Sequence, residues 1–175
     1  MVLDVHGAAA LDQRHVGEQR ILARLSGVSV EDRPSVGHGR GRFAFRKIAA
    51  DVSESGLADT VAKAGDRRDR LSTVVVDVGD EDSVRRGVTD AVVALGGLDT
   101  LVNVVGGTFR APFADQSPRA WDALLRTNLM HVLHATTRAI PAMRAGGRGG
   151  SIVNITTIEA HRAAPGFAVY SAAKA

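Results

Sequence analysis

The hydrophobic pattern changes character near residue 70. Beyond it, two periods alternate cleanly. Thr73-Val-Val-Val-Asp-Val78 is an almost unbroken β-branched run, the composition of a strand buried on both faces of a parallel sheet. Val84, Val88, Ala91, Val92 and Leu95 then recur at helical spacing behind Asp82 or Ser83 as a cap, and Gly96-Gly97 stops that helix. Leu98 to Val105 reads as a second buried strand, closed by Gly106-Gly107. Ser117-Pro118 opens a helix, with serine as cap and proline in the first turn, where its missing N–H costs nothing. The helix runs through Trp121, Leu124, Leu125, Asn128, Val132 and Ala135 toward Met143, with Pro141 bending it or marking its last turn. After the Gly146–Gly150 turn, Ser151-Ile-Val-Asn-Ile-Thr156 is a third strand. A final helix begins near Ala168, beyond Pro165-Gly166.

The first 70 residues carry weaker signals. Leu11, Val16, Ile21, Leu22 and Leu25 share one loose helical face ahead of Ser26-Gly27, and a polar, irregular stretch follows through Pro34. Gly37-His-Gly-Arg-Gly41 precedes Phe43–Ala50, a piece compatible with helix. Gly56 to Ala64 predicts another helix, with Leu57, Val61 and Ala62 apolar and Gly65 as its stop. Strands and helices alternating at this spacing imply right-handed crossovers and an open parallel sheet flanked by helices. Ligands of such sheets bind beyond the C-terminal strand ends. Asp77, Asn103 to Gly107 and Thr156-Thr157 fall there.

Composition narrows the function. Among 175 residues, 22 are Lys or Arg and 19 Asp or Glu, a net charge of +3. With 45% hydrophobic residues the chain is an ordinary globular mix, and no apolar run approaches the roughly 20 residues of a membrane helix. No secretory signal is visible, so a cytoplasmic location is expected. The absence of cysteine excludes disulfides, a thiol nucleophile and a cysteine-based zinc site. Arg40, Arg42 and Arg46 cluster, but 4% aromatics offer little stacking surface, which argues against nucleic acid. His131 and His134, a helical turn apart, and Glu159-x-His161 would have to converge to bind a metal; packed or solvated histidines are the expectation, and no metal site is assigned.

The sharpest chemical feature is Tyr170-Ser-Ala-Ala-Lys174. Residues four apart lie on the same helix face. A nearby ammonium stabilises a phenolate and lowers the phenol pKa from near 10, which makes Tyr170 a candidate general acid or base. The pair gains weight from following a strand that ends in two hydroxyls, Thr156 and Thr157.

Asp77-Val78, Leu101-Val-Asn-Val-Val-Gly106-Gly107, Thr127-Asn128-Leu129, Ser151-Ile-Val-Asn-Ile-Thr-Thr157 and Tyr170-x-x-x-Lys174, in this order and at these intervals, resemble the short-chain dehydrogenase/reductase family. The resemblance implies an α/β, Rossmann-like doubly wound parallel sheet, incomplete at both ends. Residues 1–34 are then an irregular N-terminal segment with a weak helix, and residues 35–175 a partial dinucleotide-binding domain. It further implies hydride transfer between NAD or NADP and a small carbonyl or secondary alcohol, with a homo-oligomer among the options for partners. By position, Tyr170 matches the catalytic acid/base and Lys174 the lysine that holds the nicotinamide ribose and lowers the tyrosine pKa. Thr157 stands where the family usually has serine, and Asn128 matches the asparagine of a water-linked proton relay. Asp77, with Val78, matches the adenine contact. Asn103 and Gly106 keep the ends of the usual Asn-Asn-Ala-Gly, while Val104 departs from it.

Two departures open a rival reading. Gly37 and Gly41 match a remnant of the family's Thr-Gly-x-x-x-Gly-x-Gly phosphate turn, but Val36 and Phe43 replace its Thr and last Gly. Only Arg42 to Ala50 separate that turn from Asp51, the one nearby acid that could select at the ribose 2′ position, so at least one family element is expected to be missing. The sequence also stops one residue after Lys174, and apolar surface and strand edges are expected to be exposed. The rival is a non-catalytic remnant or oligomerising fragment of such an enzyme.

Overall fold

The computed structural model describes residues 25–29 and 46–175. Its sheet has five strands in the order β3-β2-β1-β4-β5. These are β1 (Leu25–Ser29), β2 (Arg46–Asp51), β3 (Leu71–Val75), β4 (Thr100–Asn103) and β5 (Ser151–Asn154). Strands β2 and β3 are parallel, as are β4 and β5. Strand β1 runs antiparallel to both β2 and β4, with Leu25 opposite Ala50 on one side and Asn103 on the other. It follows that β2, β3, β4 and β5 all point the same way around one reversed central strand. The fold is Rossmann-like α/β, with that single departure from a wholly parallel sheet.

Two N-terminal expectations are corrected. Residues 46–51 form a strand, not a helix. Ile48, Ala49, Ala50 and Asp51 are all buried in succession, the pattern of a strand covered on both faces, which a short apolar run does not distinguish from a buried helix. Leu25, placed above at the end of a helical face, begins β1 instead. The rest of that face, residues 11–24, lies outside the described residues.

The helices are α1 (Glu54–Lys63), α2 (Glu81–Leu95), α3 (Pro118–Leu125), α4 (His131–Ala145) and α5 (Ala168–Lys174). Ser53 caps α1, its Oγ accepting the Gly56 N–H at 3.1 Å, which starts the helix before Gly56. Asp80, not Asp82 or Ser83, caps α2, accepting from the Asp82 N–H at 2.9 Å. Gly96 ends α2 in the left-handed conformation (φ 75°), with the Gly97 N–H donating to the Val92 carbonyl. Ser117 caps α3, accepting from the Ala120 N–H at 3.3 Å, with Pro118 in the first turn as expected. One turn of π-helix, Arg126–Met130, joins α3 to α4, and Pro141 lies inside α4.

Helices α2 and α4 pack side by side, and α1 lies against β2 and β3. The core joins Ile48 and Ala50 of β2, Val76 and Val78 beyond β3, Val84, Val88 and Leu95 of α2, Leu101 of β4, and Ala135, Ala139 and Met143 of α4. Each fully buried valine contributes about 1.5–3 kcal/mol. The helix–sheet approach is tightest at Gly87, where a Cβ would run into Val76. Strand β3 is an edge strand with Val75 exposed, so its β-branched run is not buried on both faces as expected. Val153, Ile155 and Ile158, on and after strand β5, are exposed.

Candidate functional site

Because β2 to β5 share one direction, their C-terminal ends lie along one edge of the sheet. Asp51 ends β2, Asp77 follows β3, Asn103 ends β4, and Ile155 to Thr157 follow β5. The structure thus aligns the candidate residues where an open α/β sheet binds ligands.

Lys174 holds this edge together. It is buried, and its Nζ donates to the Val105 carbonyl at 2.7 Å and the Ile155 carbonyl at 3.1 Å, bridging the chain beyond β4 and β5. Burial lowers its pKa. An ammonium has three donors, so one remains for a further acceptor. Gly106 lies directly over it: a Cβ there would come within 2.8 Å of Lys174 Cε and Nζ and 3.0 Å of Asn128 Oδ1. Glycine is required here for close approach rather than for its dihedral freedom.

Asn128 is buried within the π turn. Its Oδ1 accepts the Gly107 N–H at 3.1 Å, while its Nδ2 donates to the carbonyls of Gly107 at 2.8 Å and Leu124 at 2.9 Å. The side chain braces the Gly106-Gly107 turn. Single π turns inside α-helices commonly mark functional positions. Asn103 ties β4 to β5, its Nδ2 donating to Asn154 Oδ1 at 2.8 Å. Its own Oδ1 is buried without a partner among the described residues.

At the other end of the edge, Asp77 is exposed and closes a tight turn, its Oδ1 accepting the Gly79 N–H at 2.8 Å. Its neighbour Val78 is packed in the core, leaving only its backbone for a ligand. Asp51 is buried, and its Oδ1 accepts the Ser53 N–H at 2.9 Å. Gly37 and Gly41 lie outside the described residues. The described positions on either side of them, Ser29 and Arg46, pair with each other at the end of the sheet away from the site.

Tyr170, one turn before Lys174 on α5, is half-buried, with its ring edge-on to Phe167 at a centroid distance of 6.3 Å. Thr157 caps the short turn Ile158–Ala160. Its hydroxyl donates to Glu159 Oε2, and its Oγ also receives the Glu159 N–H at 3.4 Å. Among the described residues, the side-chain hydrogen bonds of Thr157 go to Glu159 and not to Tyr170.

Two further residues lie beside the site, both weighed above only as metal ligands. Glu159 is one; its spacing of two from Thr157 was the available signal. His131 is the other. It is 1% exposed, one turn after Asn128, and both ring nitrogens lack a partner among the described residues. Burial, reinforced by the Lys174 charge, lowers its pKa to about 4, so the ring is neutral at neutral pH. His134 is separate, with Nδ1 3.6 Å from Glu81 Oε1.

Comparisons with known proteins give the family and the fold. The family model described as short chain dehydrogenase matches residues 43–175, beginning after Gly41. A 3beta-hydroxysteroid dehydrogenase of Eggerthella lenta is 32% identical over 128 residues, which are 73% of this chain and 49% of that protein. The 3-oxoacyl-(acyl-carrier-protein) reductase of Thermotoga maritima is 33% identical over 128 residues, 73% of this chain and 52% of that protein. The crystal structure of a short chain dehydrogenase from Mycobacterium smegmatis superposes with a TM-score of 0.67 at 32% identity, covering 73% of this chain and 52% of the other. The chain spans about half the length of these relatives. No helix among the described residues is long and apolar enough to cross a membrane. By sequence match, by fold and by the residues gathered at its strand ends, the chain belongs to the short-chain dehydrogenase family.

Proposed function

We propose that this crevice serves an NAD(P)-dependent oxidoreductase acting on a secondary alcohol or ketone. The observation that carries the reading is the buried ammonium of Lys174, fixed to the carbonyls of Val105 and Ile155 beneath Gly106 and one helical turn from Tyr170. One feature of the chain fits a dinucleotide: the unpartnered buried Oδ1 of Asn103. When bound, the nicotinamide would supply or accept the hydride. The third N–H of Lys174 would hold the nicotinamide ribose, and Asp77 with the Val78 backbone would meet the adenine end. Tyr170 would carry the proton to or from the substrate oxygen. Thr157 would hold that oxygen, and Asn128 would keep the Gly106-Gly107 wall in place.

Asp51, at the end of β2, favours NAD over NADP, because a carboxylate accepts from a ribose 2′-hydroxyl and repels a 2′-phosphate. Turnover of NADH with a panel of ketones tests the reading, with Tyr170→Phe as the control. Activity lost in the variant supports it, and equal activity in both proteins overturns the assigned mechanism.

A non-catalytic fragment is the second reading. The reversed direction of β1 favours it, because in this family the first strand feeds the phosphate turn at the site edge, and here the strand leaves at the opposite edge. A folded chain without dinucleotide affinity would decide for this reading.

A further inference from the structure

The Thr157 hydroxyl has one hydrogen to give, and in this structure it gives it to Glu159. The direction of that bond is fixed by charge. An ionised carboxylate accepts and does not donate, and the Glu159 carboxyl is held below its ordinary range by the Thr157 hydroxyl and by Arg162. Arg162 Nη2 donates to Glu159 Oε1 at 3.0 Å, so the two carboxylate oxygens are divided between a guanidinium and the threonine. The Glu159 N–H, pointing at Thr157 Oγ1 from 3.4 Å, secures the same pairing from the backbone. While this arrangement lasts, Thr157 has no hydrogen for a substrate carbonyl and offers a lone pair instead.

We propose that Glu159, clamped by Arg162, is a specificity-determining positioning residue that makes Thr157 a hydrogen-bond acceptor, so that the site binds the alcohol form of its substrate in preference to the ketone. This rests on the function proposed above. An alcohol donates its O–H to the free lone pair of Thr157. A ketone brings only a second acceptor, and binding it requires the Thr157–Glu159 bond to break first. Removing the carboxylate frees the hydroxyl to donate and moves the preference toward the ketone.

The test uses the full chain and has two parts. The first is the Thr157 hydroxyl proton, followed by NMR at neutral pH without dinucleotide. It is expected as a downfield, slowly exchanging resonance that Glu159→Ala abolishes and Glu159→Gln retains, since the amide carbonyl still accepts. The second is the affinity for two probes in dead-end complexes: cyclohexanol with the NADH-loaded chain and cyclohexanone with the NAD-loaded chain. Glu159→Ala is expected to move the ratio of the two dissociation constants about tenfold toward the ketone, and Glu159→Gln by less. No protected hydroxyl proton in the wild type, or an unchanged ratio in Glu159→Ala, overturns the proposal. Failure of every variant and the wild type to bind either dinucleotide overturns the underlying function instead, and the NMR signal tells the two failures apart.

Discussion

The two ends of the described sheet are built by different rules. From β4 to α5, the candidate residues are joined by hydrogen bonds between elements of the types expected from their periods. Asn103 and Asn154 are register partners, and Ile155, which follows Asn154, supplies one of the two carbonyls that hold Lys174. The elements that carry them follow local periods, and long-range hydrogen bonds then bring them together. Around β1 and β2 the arrangement depends on strand direction, which no local period encodes. Strand β1 occupies the central slot but runs backwards, so the ends that flank Gly37–Gly41 meet at the far edge. One wall of the candidate site thus forms while β1, the described strand ahead of Gly37–Gly41, runs against both its neighbours.

Breaking the well-formed side should have the largest effect. Tyr170→Phe is expected to lower turnover by about 10²–10⁴-fold, the usual worth of a general acid or base. Its unfolding midpoint should stay near that of the wild type, because the hydroxyl has no hydrogen-bond partner among the described residues. Parallel kinetics and denaturant unfolding check both outcomes.

Next comes the pH dependence set by His131. Its folded-state pKa is about 4, against an ordinary 6.5. The unfolded chain therefore takes up the proton first as pH falls. The stability due to a neutral His131 is fully present above pH 6.5 and is lost progressively toward pH 4, by about 3 kcal/mol. Urea unfolding between those limits should show a steeper acid loss for the wild type than for His131→Leu. Equal slopes would show that the imidazole reaches solvent.

Gly106→Ala probes the same wall from the backbone. The added Cβ meets Lys174 and Asn128, and shifting them should cost about 1–3 kcal/mol in stability and weaken dinucleotide binding as well. Thermal unfolding and a titration with NADH measure the two together.

The smallest effect belongs to β2. Asp51→Asn keeps an acceptor for the Ser53 N–H and removes the charge. It should narrow the preference for NAD over NADP by about tenfold, or about 1.4 kcal/mol, in paired affinity measurements. A preference that does not move would detach β2 from the cofactor site and widen the contrast between the two regions.

Legibility in the sequence follows the same division. The helix α2, the Ser117 cap, the strand pair β4–β5 and the Tyr170–Lys174 spacing were readable because period, cap residues and intervals are local properties. Residues 46–51 were misread as helix because Ile48-Ala-Ala is too short an apolar run to reveal its period. The single long helix expected from Ser117 onward hid the π turn around Asn128, since one inserted residue barely disturbs helical spacing. The burial of Val78 was not legible beside an exposed Asp77, and neither was the hydrogen bond that commits Thr157 to Glu159, because both depend on side-chain direction.

The proposed function stands on Lys174, held beneath Gly106, as the anchor of a dinucleotide. Calorimetric titration of NAD into the wild type and into Lys174→Met, with circular dichroism confirming that both are folded, tests it most directly. Saturable binding by the wild type that Lys174→Met weakens by at least about tenfold is the expected result. A flat titration from folded wild type, or equal affinity in the two proteins, would contradict it.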